Sequence, residues 1–105
     1  MLHGFLLNPD GSFETFEAPD AGNGGGQGTI PLGINSAGQI VGGYIDSTGV
    51  AHGFLRAPDG KIAPINAPGA GKGAGQGTTA YTIDAAGEIV GYYADAHGDF
   101  AASEG

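Results

Sequence analysis

Residues 3–51 lie over residues 52–100 at a shift of 49 positions, with 25 identities and no gap. His3-Gly4-Phe5-Leu6 falls on His52-Gly53-Phe54-Leu55, and Pro9-Asp10-Gly11 on Pro58-Asp59-Gly60. Gly26-Gln27-Gly28-Thr29 falls on Gly75-Gln76-Gly77-Thr78, and Ile40-Val41-Gly42 on Ile89-Val90-Gly91. A tandem duplication constrains the fold more than any single motif, because one supersecondary unit must recur and bury its apolar face against its own copy. The period is too long for a leucine-rich repeat or a β-helix coil, and no helical periodicity supports a solenoid of helical pairs. With 23 glycines and six prolines in 105 residues, long helices are excluded. The expected class is all-β, with two tandem four-stranded antiparallel blades of a β-propeller.

The turn residues divide each unit into strands. Thr29 to Ile34 and Gln39 to Ile45 are parted by Asn35-Ser36-Ala37-Gly38, and Asp46-Ser47-Thr48-Gly49 precedes Val50 to Leu55. Ala57-Pro58-Asp59-Gly60 then precedes Lys61 to Asn66. In Pro-Asp-Gly the proline presets φ for the first central position, and the glycine takes the left-handed conformation that a bulged hairpin needs. Three tight hairpins in succession make a four-stranded meander. Pro68 to Gly77, and its copy Pro19 to Gly28, are too long and too rich in glycine for another such hairpin. They are assigned to the crossover from the outer strand of one blade to the inner strand of the next.

This phasing makes 1–105 one domain of two 49-residue repeats, 2–50 and 51–99, with 100–105 as a C-terminal tail. Only 29–67 forms a complete blade. The chain opens on the third and fourth strands of a blade (Gly4 to Leu7, Phe13 to Ala18) and closes on the first and second of another (Thr78 to Ile83, Glu88 to Ala94). The split blade is therefore 78–100 plus 1–18. Two blades cannot close a ring, and natural propellers have roughly 4 to 8. The expected partner is the chain itself, in a cyclic homo-oligomer with heterologous contacts. A homotrimer is the first expectation, followed by a tetramer and a dimer. Ala101 stands where the next histidine would fall, so the third strand is expected to be lost at that end and supplied by His3-Gly4-Phe5 of another copy.

Charge narrows the partners. Three Lys and Arg against eleven Asp and Glu give a net charge of −8, which repels nucleic acid and anionic membrane. The chain has no cysteine, hence no disulfide and no thiolate chemistry, and no apolar run approaches a membrane span. Met1-Leu2-His3 lacks the basic head and apolar stretch of a secretory leader, so no signal peptide is expected.

The segment Ile40-Val41-Gly42-Gly43-Tyr44-Ile45-Asp46-Ser47-Thr48-Gly49-Val50-Ala51-His52-Gly53-Phe54-Leu55 resembles the bacterial extracellular repeats called the HAF family, and the likeness covers nearly all of the chain. The resemblance implies a secreted or surface-attached β-repeat protein, extracellular in the parent family, and supplies no catalytic residue. Family members are usually longer arrays, so the resemblance is compatible with a natural chain or with an excised or engineered fragment.

Candidate chemistry is sparse. His3 and His52 recur once per repeat, which suits either a metal ring or, as favoured here, a structural hydrogen bond across the sheet. Asp46 with Asp95, and Asp10 with Asp59, offer oxygens to calcium, but each sits in a turn where its side chain can accept from local backbone N–H groups. No metal site and no cofactor is assigned. Gly69-Ala70-Gly71-Lys72-Gly73-Ala74 matches a loose dinucleotide-binding pattern but lacks the strand–turn–helix context, and no Gly-Lys-Ser/Thr occurs, so a crossover is favoured, with Gln27 and Gln76 pinning it. No catalytic signature is present. Positions at which the repeats differ are the better candidates: Tyr81 replaces Leu32, Tyr92 replaces Gly43 and Arg56 replaces Leu7. Tyr81, Tyr92, Arg56, Asp84 and Asn35 are the expected ligand-binding residues, since aromatic faces with Asn, Asp and Arg suit a sugar. For the two tyrosines, sheet packing is the favoured alternative. The expected function is a non-enzymatic, self-assembling scaffold or binding module. A carbohydrate-binding lectin with sites between blades is the alternative, and a hydrolase with carboxylates such as Asp84 in a central channel is the second.

Overall fold

The computed structural model describes residues 1–97 and, in their backbone, residues 100–104. These form nine strands and no helix: β1 (Gly4–Leu7), β2 (Phe13–Phe16), β3 (Gly28–Ile34), β4 (Ile40–Ile45), β5 (Ala51–Arg56), β6 (Ile62–Ile65), β7 (Gly77–Ile83), β8 (Ile89–Ala94) and β9 (Phe100–Glu104). β3, β4, β5 and β6 pair antiparallel in chain order, and β7, β8 and β9 repeat the first three positions. β1 and β2 form a separate hairpin. A single parallel step, Ala51 beside Gly77, joins the two meanders into one strongly curled, half-barrel sheet. The same step recurs 49 residues earlier, with Leu2 beside Gly28. No helix among the described residues is long and apolar enough to cross a membrane.

β9 corrects one expectation. Phe100–Glu104 is not a tail, and the third strand is not lost at the C-terminal end: Tyr93 lies opposite Ala101 and Ala94 opposite Phe100. The edge of β8 offers a row of N–H and C=O groups that any extended segment can satisfy, whatever side chains it carries.

Five hairpin turns are built alike, and the sequence shows why. Asn8, Asn35, Asp46, Ala57 and Asp84 each donate their N–H across the turn to the carbonyl four residues on and accept from a glycine three residues on. Those glycines, Gly11, Gly38, Gly49, Gly60 and Gly87, all have φ between +82° and +92°, the left-handed position of a bulged three-residue hairpin. Side chains reinforce the turns. Asp46 Oδ1 accepts from the backbone of Thr48 and Val50, as Asp84 Oδ1 does from Ala86 and Glu88.

The core lies where the N-terminal hairpin meets the four-stranded meander that follows it. Phe16 and Ala18, which close the N-terminal hairpin, pack against Ile40, Tyr44 and Phe54 of the following unit. Because side chains alternate along a strand, Ile40 and Tyr44 of β4 face this core, while Gly43 and Ile45 face the opposite, concave side. Thr29 and Thr78 are buried at the joints, their hydroxyls accepting from the backbone N–H of Ala18 and Ala67.

Candidate functional site

Two β-bulges shape the concave side. The β3–β4 register slips between Pro31 and Gly33, leaving Leu32 unpaired, and the β7–β8 register slips between Ala80 and Thr82, leaving Tyr81 unpaired. A bulge re-aims the side chain of the extra residue. Leu32 and Tyr81 accordingly line a cleft of about 370 Å³ between the two meanders, together with Ile30, Ile45, Gln76, Thr79 and Tyr92. Tyr81 is 54% exposed and Tyr92 40%. The cleft thus presents two accessible phenol rings beside an amide and a threonine hydroxyl, an arrangement able to stack on an apolar face and hydrogen-bond at its rim.

The other three expected ligand-binding residues lie elsewhere. Asn35 donates from Nδ2 to Gln39 Oε1 at 2.8 Å and to the Asp84 carbonyl at 3.0 Å, so these repeat-equivalent turns are tied to each other. The Asp84 carboxylate is engaged in its own turn. Arg56 is only 7% exposed, its guanidinium 4.9 Å above the Phe16 ring and 3.8 Å from Glu14. None of the three lines the cleft.

A second constellation joins residues that sequence reasoning treated separately. His52 Nε2 lies 2.8 Å from Asp46 Oδ2, its Nδ1 lies 3.0 Å from Asn66 Oδ1, and the ring stacks on Tyr44 at 4.9 Å. Burial disfavours the imidazolium, but the hydrogen bonds to Asp46 and Asn66 and the charges of Asp46 and Asp20 outweigh it, so the His52 pKa is raised. Burial likewise pushes the Asp46 carboxyl up, yet the hydrogen bonds from His52, Thr48 and Val50 hold it well below the usual carboxylate range. The Tyr44 hydroxyl is raised, first by burial and then by Asp20 and Asp46. With both ring nitrogens engaged by Asp46 and Asn66, this imidazole is fixed in place by its hydrogen bonds rather than free to act as a base. Among the described residues no group of three or more His, Cys, Asp or Glu side chains could hold a metal. The available sequence signal was the spacing Asp46 to His52, but the second copy, Asp95 to Ala101, breaks it.

The glycine-rich crossovers are ordered by glutamine. Gln27 Oε1 accepts from the Gly24 N–H while its Nε2 donates to the Ser47 carbonyl, and Gln76 repeats this with Gly73 and Ala96. No protein-family model, curated protein or solved structure matches the chain.

Proposed function

We propose that the protein is a non-enzymatic binding module that assembles with copies of itself into a ring of β-propeller blades. The observation that carries this reading is the repetition of one joint. Leu2 meets Gly28 as Ala51 meets Gly77, and Gln27 and Gln76 brace the loop beside each. A unit that joins its successor by the same contact at each step is a heterologous assembly, which continues until rotation closes it. The chain carries one four-stranded meander flanked by partial ones, so closure calls for further copies. A trimer would give six blades, within the roughly 4 to 8 of known rings. Surface attachment outside the cell is the setting that the HAF-like motif favours. Light scattering behind a sizing column tests the reading: a trimer, tetramer or dimer that resists dilution is expected, and a monomer at all concentrations overturns it.

A carbohydrate ligand is the second reading, favoured by the exposure of Tyr81 and Tyr92 in one cleft between meanders. Binding on a glycan array that Tyr81→Ala removes would support it. An array without signal would leave the scaffold alone.

A further inference from the structure

The middle of the chain contains a completed joint, and its two ends carry the halves of another. Phe54 lies opposite Gly42, has no exposed surface, and packs among Phe16, Ile40 and Leu6. Forty-nine residues on, the equivalents of Gly42, Phe16, Ile40 and Leu6 are Gly91, Ile65, Ile89 and Leu55. Those four, with Thr78, Thr79 and Ala80, line a largely apolar cavity of about 320 Å³. The register of β9 sets Ser103 opposite Gly91, where Phe54 stands opposite Gly42, and Ala101 opposite Tyr93, where His52 stands opposite Tyr44. β9 therefore supplies the backbone of the third strand without the residues of the repeat.

Those residues are in β1. Phe5, the equivalent of Phe54, is 58% exposed, and its ring lies 5.6 Å from that of Phe13, its one aromatic neighbour among the described residues. The side chain of His3, the equivalent of His52, is 61% exposed. Among the described strands β1 pairs with β2 alone, so its other edge is open.

We propose that β1 of a second copy of this chain replaces β9 along β8 and seats its Phe5 in the cavity formed by Leu55, Ile65 and Ile89. This rests on the ring reading above and deepens it by naming the strand and side chain that make the joint. The repeat fixes the register: Leu6 opposite Val90, Phe5 opposite Gly91 and His3 opposite Tyr93, as Leu55, Phe54 and His52 stand opposite Val41, Gly42 and Tyr44. His3 then stacks on Tyr93 and approaches the Asp95 turn, as His52 does with Tyr44 and Asp46. Each copy has one such cavity and one β1, so the contact propagates around a ring. β9 is the internal competitor, covering a bare strand edge until another copy arrives.

The chain lacks cysteine, so paired cysteines report the joint cleanly. Directly opposed strand residues have Cα atoms about 4.5–5.5 Å apart, within disulfide reach. Leu6→Cys protein mixed with Val90→Cys protein under mild oxidation is expected to give a 6–90 linked dimer, and the double variant covalent rings of the native mass. Phe5→Ser, at a side chain largely exposed in the single chain, is expected to leave its circular dichroism unchanged and weaken assembly about 10- to 100-fold. Deleting 100–105 is expected to strengthen assembly. An oligomer of unchanged affinity in Phe5→Ser that also fails to cross-link would overturn this joint while leaving the ring reading standing. A wild-type monomer at every concentration would overturn both.

Discussion

Phe16 stands edge-on to Phe54, ring centroids 6.1 Å apart and planes at 72°, although the two belong to successive repeats. This contact holds the N-terminal hairpin on the first complete meander. Phe54→Ala should cost about 3–5 kcal/mol in urea unfolding, the range for a buried phenylalanine. A double-mutant cycle with Phe16→Ala should show a coupling of about 1 kcal/mol. Strictly additive losses would mean that the rings do not interact.

The His52–Asp46 pair makes stability depend on pH in two directions. His52 has a raised folded-state pKa, so its contribution is complete below about 6.5 and is lost as pH rises through the folded value. Asp46 is depressed, so its contribution is complete above about 3.9 and is lost as pH falls toward the folded value. The unfolding free energy of the wild type, from urea titrations, should therefore fall as pH rises above about 6.5, by less than about 1 kcal/mol because the pair is partly exposed. His52→Asn should flatten that slope; an unchanged slope would remove the pair from the account.

Gly77 sits at the parallel joint with φ +116°, and a Cβ there would run into the Ala51 carbonyl. Gly77→Ala should lower stability by about 1–3 kcal/mol through backbone strain. Gly25→Ala, where a Cβ meets nothing within 4 Å, is the control and should be neutral or slightly stabilising. Equal effects at the two positions would deny the joint any special role.

Arg56 is held by packing more than by charge. Its Nε makes no hydrogen bond among the described residues, while Glu14, 3.8 Å from the guanidinium, has a side chain 52% exposed. Arg56→Ala should cost about 2 kcal/mol through lost contact with Phe16, and Glu14→Gln less than about 0.5 kcal/mol. A larger loss from Glu14→Gln than from Arg56→Ala in thermal unfolding would reverse this order.

Tyr81, 54% exposed on its bulge, should tolerate alanine with a stability change within about 0.5 kcal/mol. Loss of any glycan binding without loss of stability, measured on the same preparation, would tie the cleft to the ligand. A large destabilisation would make Tyr81 a packing residue.

The duplication, the strand runs and the turns were legible in the residues because each rests on local chemistry. Asx side chains and left-handed glycines fix a hairpin within five residues, and β3 to β8 fall within one or two residues of the runs that the turn signals delimit. What sequence could not supply was anything dependent on one strand's place beside another. The bulges at Leu32 and Tyr81 are register slips, visible only once β3 lies on β4 and β7 on β8. Arg56 looked like a ligand residue because it replaces Leu7, and only the packing of β2 over β5 buries it against Phe16. Asp46, His52 and Asn66 converge because hairpin turns bring strand ends together. β9 forms for the opposite reason: the open backbone of β8 can pair with any extended segment, because the ladder hydrogen bonds are the same for every sequence.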